Sequence, residues 1–244
     1  MQCIGIIPAR FASSRFPGKP LIDLGGKYMI QRVYEQCLKS QYLDQVIVAT
    51  DDERIYDAVQ SFGGLAQMTK ADHQSGTDRI AEVASTYLGE DIIINIQGDE
   101  PFIEPELIDA LIEPLKLNKA QIATAAVKIK STTAVFDPNV VKVVFNHSKS
   151  ALYFSRSPIP YQRDRKPEDW LSNGHYFKHI GIYAFKQASL MEVSNAEVSI
   201  LEQQESLEQL RWLDIGKRIF VHLTDHESIG IDSPKDLEKI KHLL

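Results

Sequence analysis

Short apolar runs rich in isoleucine and valine alternate with segments of helical periodicity through the first half of the chain. Cys3 to Ile7 reads as a buried strand, and the polar stretch from Ala9 to Lys19 as the loop after it. Between Met29 and Ser40 the apolar positions Met29, Ile30, Val33, Tyr34 and Cys37 fall on one helix face. Val46 to Ala49 reads as a second strand and Glu53 to Phe62 as a second helix. Asp91 to Ile96 is a third buried strand, and Pro105 to Leu117 opens with a proline suited to a first helical turn. This alternation predicts βαβ crossovers and a mostly parallel sheet flanked by helices, an α/β fold.

The pattern changes after residue 138. Val140 to Phe145 and Ala151 to Ser155 are strand-like and close together, which predicts an inserted antiparallel β region. Pro158 to His175 is polar, with proline and charge, and reads as an exposed arm or lid. Strand character resumes at Phe177 to Phe185. Glu205 to Gly216 reads as a helix closed by Gly216, Arg218 to His222 as a strand, and Asp232 to Leu243 as a last helix begun by Asp-Ser-Pro. The expectation is a single domain over residues 1–244, with about 138–186 containing a smaller β and arm region. In such sheets ligands sit beyond the carboxyl ends of the strands, so chemistry is to be sought in those loops.

Composition narrows the classes. With 27 Lys+Arg against 33 Asp+Glu in 244 residues the net charge is −6, against any nucleic-acid binder that relies on bulk positive charge. No stretch approaches the ~18 apolar residues of a membrane span, and the start lacks the features of a signal peptide. Cys3 and Cys37 lie in apolar surroundings without metal-ligand spacing, which reads as reduced, buried thiols. These features predict a cytoplasmic protein.

Pro8-Ala9-Arg10-Phe11-Ala12-Ser13-Ser14-Arg15-Phe16-Pro17-Gly18-Lys19-Pro20-Leu21 puts the cations Arg10, Arg15 and Lys19 on one loop at a strand's carboxyl end. Small residues there let main-chain N–H groups approach an anion. Guanidinium groups bind phosphate bidentately, and lysine adds a mobile point charge. Such a cluster suits a triphosphate better than a single carboxylate; the bland alternative is a solvated basic loop. The Walker pattern G-x-x-x-x-G-K-[ST] and the dinucleotide pattern G-x-G-x-x-G are both absent from the loop.

P-A-R-x-x-S-x-R-x-P-G-K-P-L resembles the N-terminal signature of the 3-deoxy-manno-octulosonate cytidylyltransferases, or CMP-Kdo synthetases. The resemblance continues through Ala49-Thr50-Asp51-Asp52, His73-Gln74-Ser75-Gly76-Thr77-Asp78-Arg79 and Gln97-Gly98-Asp99-Glu100-Pro101. It runs on through Tyr153-Phe154-Ser155-Arg156, His179-Ile180-Gly181-Ile182-Tyr183, Leu207-Glu208-Gln209-Leu210-Arg211 and Gly230 to Leu237. The blocks stand in family order over nearly the whole chain. They imply a Rossmann-like nucleotidyltransferase fold and transfer of CMP from CTP to 3-deoxy-D-manno-octulosonate (Kdo) for lipopolysaccharide biosynthesis. They also imply a homodimer, through the middle β region.

By this resemblance, Ala9, Arg10, Lys19, Ser75, Gly76 and Gln97 surround the nucleotide, with Arg10, Arg15 and Lys19 offsetting charge on the triphosphate. Asp99 and Asp232 hold Mg2+. On the residues alone, Asp99 projects from a strand end, as a hard cation requires, whereas Asp232 reads first as a helix N-cap. Arg15, Arg156, His179, Tyr183, Glu208 and Gln209 match the acceptor side. Read without the resemblance, His179 is a structural histidine and Arg156 a partner in a surface ion pair. Two further acceptors stay open: 8-amino-Kdo, and a sialic acid, whose synthetases show P-A-R-x-G-S-K where this loop has P-A-R-F-A-S-S-R. A non-catalytic nucleotide-sugar sensor on the same fold would be expected to lack the cationic loop or a metal carboxylate.

Overall fold

The computed structural model describes residues 1–12, 16–87, 89, 91–226, 230–231 and 233–240. Arg15 and Asp232 therefore lie outside the described residues.

The chain runs β1 (Cys3–Ala9), α1 (Met29–Cys37), β2 (Gln45–Thr50), α2 (Glu53–Ser61), β3 (Ala66–Met68), α3 (Gly76–Ala84), β4 (Ile92–Asn95) and α4 (Pro105–Lys116). It continues with β5 (Ile122–Lys128), α5 (Thr132–Phe136), β6 (Lys142–Phe145), β7 (Ala151–Ser155), α6 (Trp170–Asn173) and β8 (Phe177–Lys186). Helices α7 (Gln187–Ser194), α8 (Ile200–Glu205) and α9 (Gln209–Asp214) follow, then β9 (Ile219–Thr224) and α10 (Pro234–Ile240). The main path through the sheet is β3-β2-β1-β4-β8-β5-β9.

On that path β8 alone runs antiparallel to its neighbours β4 and β5, and the remaining pairings are parallel. The β1 and β4 strands are buried nearly throughout, because helices cover both sheet faces. One core cluster packs α1 and α4 against one face through Ile30, Val33, Ile108 and Leu111. The other packs α3 and α7 on the opposite face through Ile80, Val83, Leu190 and Val193.

Two sequence-based expectations change. Phe177–Lys186, grouped by pattern with the middle region, inserts between β4 and β5 as a central strand. The hairpin β6–β7 attaches to it through Lys142 opposite Lys178. The segment from Pro158 to His175 is largely exposed, as expected, and is anchored by Trp170, which is buried beside Ile129 and Val135 with its ring stacked 6.1 Å from that of Tyr176. The single helix expected from Glu205 is broken: α8 ends there, Ser206 takes a left-handed φ of 50°, and α9 begins only at Gln209. Gly216 does close α9, with φ 80° and its N–H on Leu213 O at 2.9 Å.

Candidate active site

The carboxyl ends of β1 and β4 and the start of α3 converge on a cavity of about 280 Å³. Ala9 lines it from the end of β1, Arg10 and Lys19 from the loop that follows, Ser75 and Gly76 from the cap and first residue of α3, and Gln97 and Asp99 from the loop after β4. The six residues assigned to the nucleotide side thus share one wall with Asp99. Close backbone approach makes the space: a Cβ on Gly98 would stand 3.1 Å from Pro8 O.

The cationic loop is closed by a main-chain bond from Gly18 N to Phe11 O at 2.9 Å, with Gly18 at φ 71°. The Phe11 ring lies against Gly18 and carries the Arg54 guanidinium 3.4 Å from its centroid. Arg54 is held in turn by both carboxylate oxygens of Asp52.

Lys19 Nζ donates to Asp99 Oδ2 at 2.6 Å. The Asp99 carboxylate therefore already attracts a cation at the cavity edge, which is the donor chemistry Mg2+ requires. Ile231 N donates to Asp99 O at 2.9 Å, so the chain just before Asp232 is tied to Asp99. These observations fit a metal held by Asp99, with Asp232 outside the described residues.

Ser75 caps α3 through a capping box with Asp78. Its hydroxyl also donates to Glu208 Oε1 at 3.0 Å, and Thr77 Oγ1 donates to Glu208 Oε2 at 2.8 Å. Arg211 adds a third bond to Glu208 at 2.8 Å. Burial pushes the Glu208 carboxyl above its ordinary value, against the pull of Thr77 and Arg211. Glu208 thus joins α9 to the nucleotide side.

A register shift in β5–β8 falls beside the stretch of β8 that carries His179 and Tyr183. Gly181 O accepts from Gln97 Nε2 at 2.9 Å, while Thr124 Oγ1 donates to Ile182 O at 2.8 Å and lies 3.0 Å from His179 Nε2. The His179 imidazole packs against Phe154 and Tyr183. That enclosure lowers its pKa to about 3, although part of the residue still meets solvent. Tyr183 is buried, which holds its phenol well above the ordinary tyrosine value. Among the described residues Gln209 Nε2 is buried without a hydrogen-bond partner, leaving a polar atom for a ligand or water.

Arg156 lies apart from the cavity lining. Its guanidinium donates to Glu205 O at 2.7 Å, Pro138 O at 3.0 Å and Ser206 O at 3.3 Å. His73, Gln74 and Arg79 also line the cavity, and the sequence reading gave them no role. Arg79 is buried between Thr69 and Asp51, and His73 pairs with Glu82. Their shared run with Ser75 and Gly76 was the available signal.

Residues 4–219 match the family described as Cytidylyltransferase. The 3-deoxy-manno-octulosonate cytidylyltransferase of Parabacteroides distasonis is 52% identical, over 98% of this chain and 96% of that protein. The protein of the same name from Geobacter sulfurreducens is 50% identical, over 98% of each. A solved CMP:2-keto-3-deoxy-manno-octonic acid synthetase complexed with CTP matches with TM-score 0.92 and 44% identity, over 100% of this chain and 98% of that one.

Proposed function

The chain belongs to the cytidylyltransferase family, and from that premise we infer that it transfers CMP from CTP to Kdo, forming CMP-Kdo and pyrophosphate. The observation that carries this reading is the gathering of Ala9, Arg10, Lys19, Ser75, Gly76, Gln97 and Asp99 around one cavity, in a chain that matches a CTP-bound synthetase over its whole length.

The anomeric hydroxyl of Kdo attacks the α-phosphorus in line with the departing pyrophosphate, and the hydroxyl proton is lost to solvent. Arg10 and Lys19 at the cavity, with Arg15, offset charge on the phosphates. Positioning and electrostatics supply most of the acceleration in such transfers. Asp99 and Asp232 would hold Mg2+, which when bound withdraws charge from phosphate oxygens. Gln209 offers a buried polar atom for the hydroxyls of the sugar acid, and a site built to bind hydroxyls discriminates against analogues lacking them.

A homodimer and a cytoplasmic setting belong to the same proposal. Among the described residues no helix is long and apolar enough to cross a membrane. Among the described residues strand β7 pairs only with β6, and it shows Leu152 60% exposed, which supports assembly through the middle region. Sedimentation velocity tests the assembly.

The activity is tested by pyrophosphate release with each NTP against Kdo, 8-amino-Kdo and N-acetylneuraminate. Turnover is expected with CTP and Kdo. A preference for the sialic acid would overturn the acceptor, and failure with every acid would favour a nucleotide-sugar sensor.

A further inference from the structure

At the start of β6, away from the cavity, a charged side chain is wholly enclosed. Lys142 is 0% exposed, and its ammonium donates to Asp137 O at 2.9 Å and Arg156 O at 2.5 Å. A charge so buried persists only where its donors are met. Burial also draws this ammonium below the ordinary lysine value.

Those bonds belong to a larger knot. Lys142 holds the main chain of Arg156, and the Arg156 guanidinium holds the carbonyls of Pro138, Glu205 and Ser206. The Glu205 carboxylate closes it from the other side, accepting from Ser155 Oγ at 2.6 Å and Arg156 N at 2.9 Å. Lys142 and Ser155 are register partners in β6 and β7, so the knot sits on one rung of that hairpin. Ser206 is left-handed, a conformation that non-glycine residues hold mainly where their surroundings enforce it. Leu207, Glu208 and Gln209 come next, and they enter α9 at the angle this turn sets.

We propose that Lys142 is a positioning residue for the sugar-acid side of the reaction, acting through Arg156 and the Glu205–Ser206 turn to set where Gln209 stands. The proposal rests on the acceptor reading above. A lysine that merely glued β6 to β7 would affect stability and treat both substrates alike.

Steady-state kinetics of the full chain distinguish these roles, with Lys142→Met removing the charge at similar length and Glu205→Gln loosening the knot from the opposite side. Lys142→Met is expected to raise KM for Kdo about tenfold or more and leave KM for CTP within about twofold. Glu205→Gln is expected to move the same constant in the same direction, by less. An unchanged KM for Kdo in folded Lys142→Met, or an equal rise for both substrates, overturns the proposal. If Lys142→Met does not fold, Glu205→Gln decides, and a wild-type KM for Kdo there overturns it. Should the wild-type protein use another sugar acid, the same comparison is read with that acid, and only the acceptor reading changes.

Discussion

Lys19 and Asp99 face each other across the mouth of the cavity, Nζ to Oδ2 at 2.6 Å, with 14% and 28% of their side chains exposed. The pair brings a residue assigned to phosphate into contact with a residue assigned to metal, although 80 positions separate them. An ammonium carries three N–H donors, so Lys19 can keep this bond and still donate to a phosphate.

The proposed metal is testable at Asp99 itself. Asp99→Asn keeps the shape of the side chain and removes its charge, and is expected to lower kcat/KM at least about a hundredfold. Asp232→Asn is expected to act likewise. Chelation of wild-type protein should stop pyrophosphate release, and added Mg2+ should restore it. Full turnover in excess EDTA would remove the metal from the mechanism.

Lys19→Ala and Arg10→Ala each delete one charged donor from the nucleotide side. Hydrogen bonds to charged groups are worth roughly 1.5–3 kcal/mol, so each variant should lose at least about tenfold in kcat/KM. Wild-type kinetics in both would return the loop to a solvated surface role.

Thr77 is 2% exposed and donates to Glu208 at 2.8 Å. Thr77→Val keeps its volume and leaves that carboxylate oxygen without this donor, at a cost of about 1–2 kcal/mol. For a chain of this size the melting temperature should fall by roughly 2–8 °C. Calorimetry reads this directly, and an unchanged melting temperature would show that Glu208 does not join the two sides energetically.

The imidazole of His179, with its pKa lowered from 6.5 to about 3 by burial, is neutral near pH 7. The unfolded chain takes up a proton there below about 6.5, so His179 contributes stability at neutral pH that is lost as pH falls toward 3. Its ring nitrogens should show no titration by NMR between about pH 5 and 8. A midpoint near the ordinary value would place His179 in solvent and reopen a role as a proton carrier.

The lining of the cavity was legible from the sequence because its parts are local. Arg10 and Lys19 share one loop, Ser75 and Gly76 share one helix start, and Gln97 and Asp99 share one strand end. Hydrophobic period placed the first and third of these runs at the carboxyl ends of strands, and the order of βα units brought those ends to one side of the sheet; Ser75 and Gly76 were named by the family resemblance. The acceptor side was legible only as a set of names. No periodicity indicates that Arg156 turns to the carbonyls of Glu205 and Ser206, or that Glu208 receives Ser75 and Thr77 from more than 130 positions away.

By itself the sequence determined the α/β class, the hairpin at β6–β7, the strand–loop unit that carries the cations, and the family. Only the tertiary structure decided that β8 enters the sheet between β4 and β5, that Ser206 breaks the helix expected there, and that Lys142 is buried beneath Arg156. Period and composition report which face of an element is apolar, and that is a property of neighbours in the chain. Strand order and the partners of buried charges depend on which distant surfaces fill one another at core density and leave no polar atom unmet, and that is settled only when the whole chain packs.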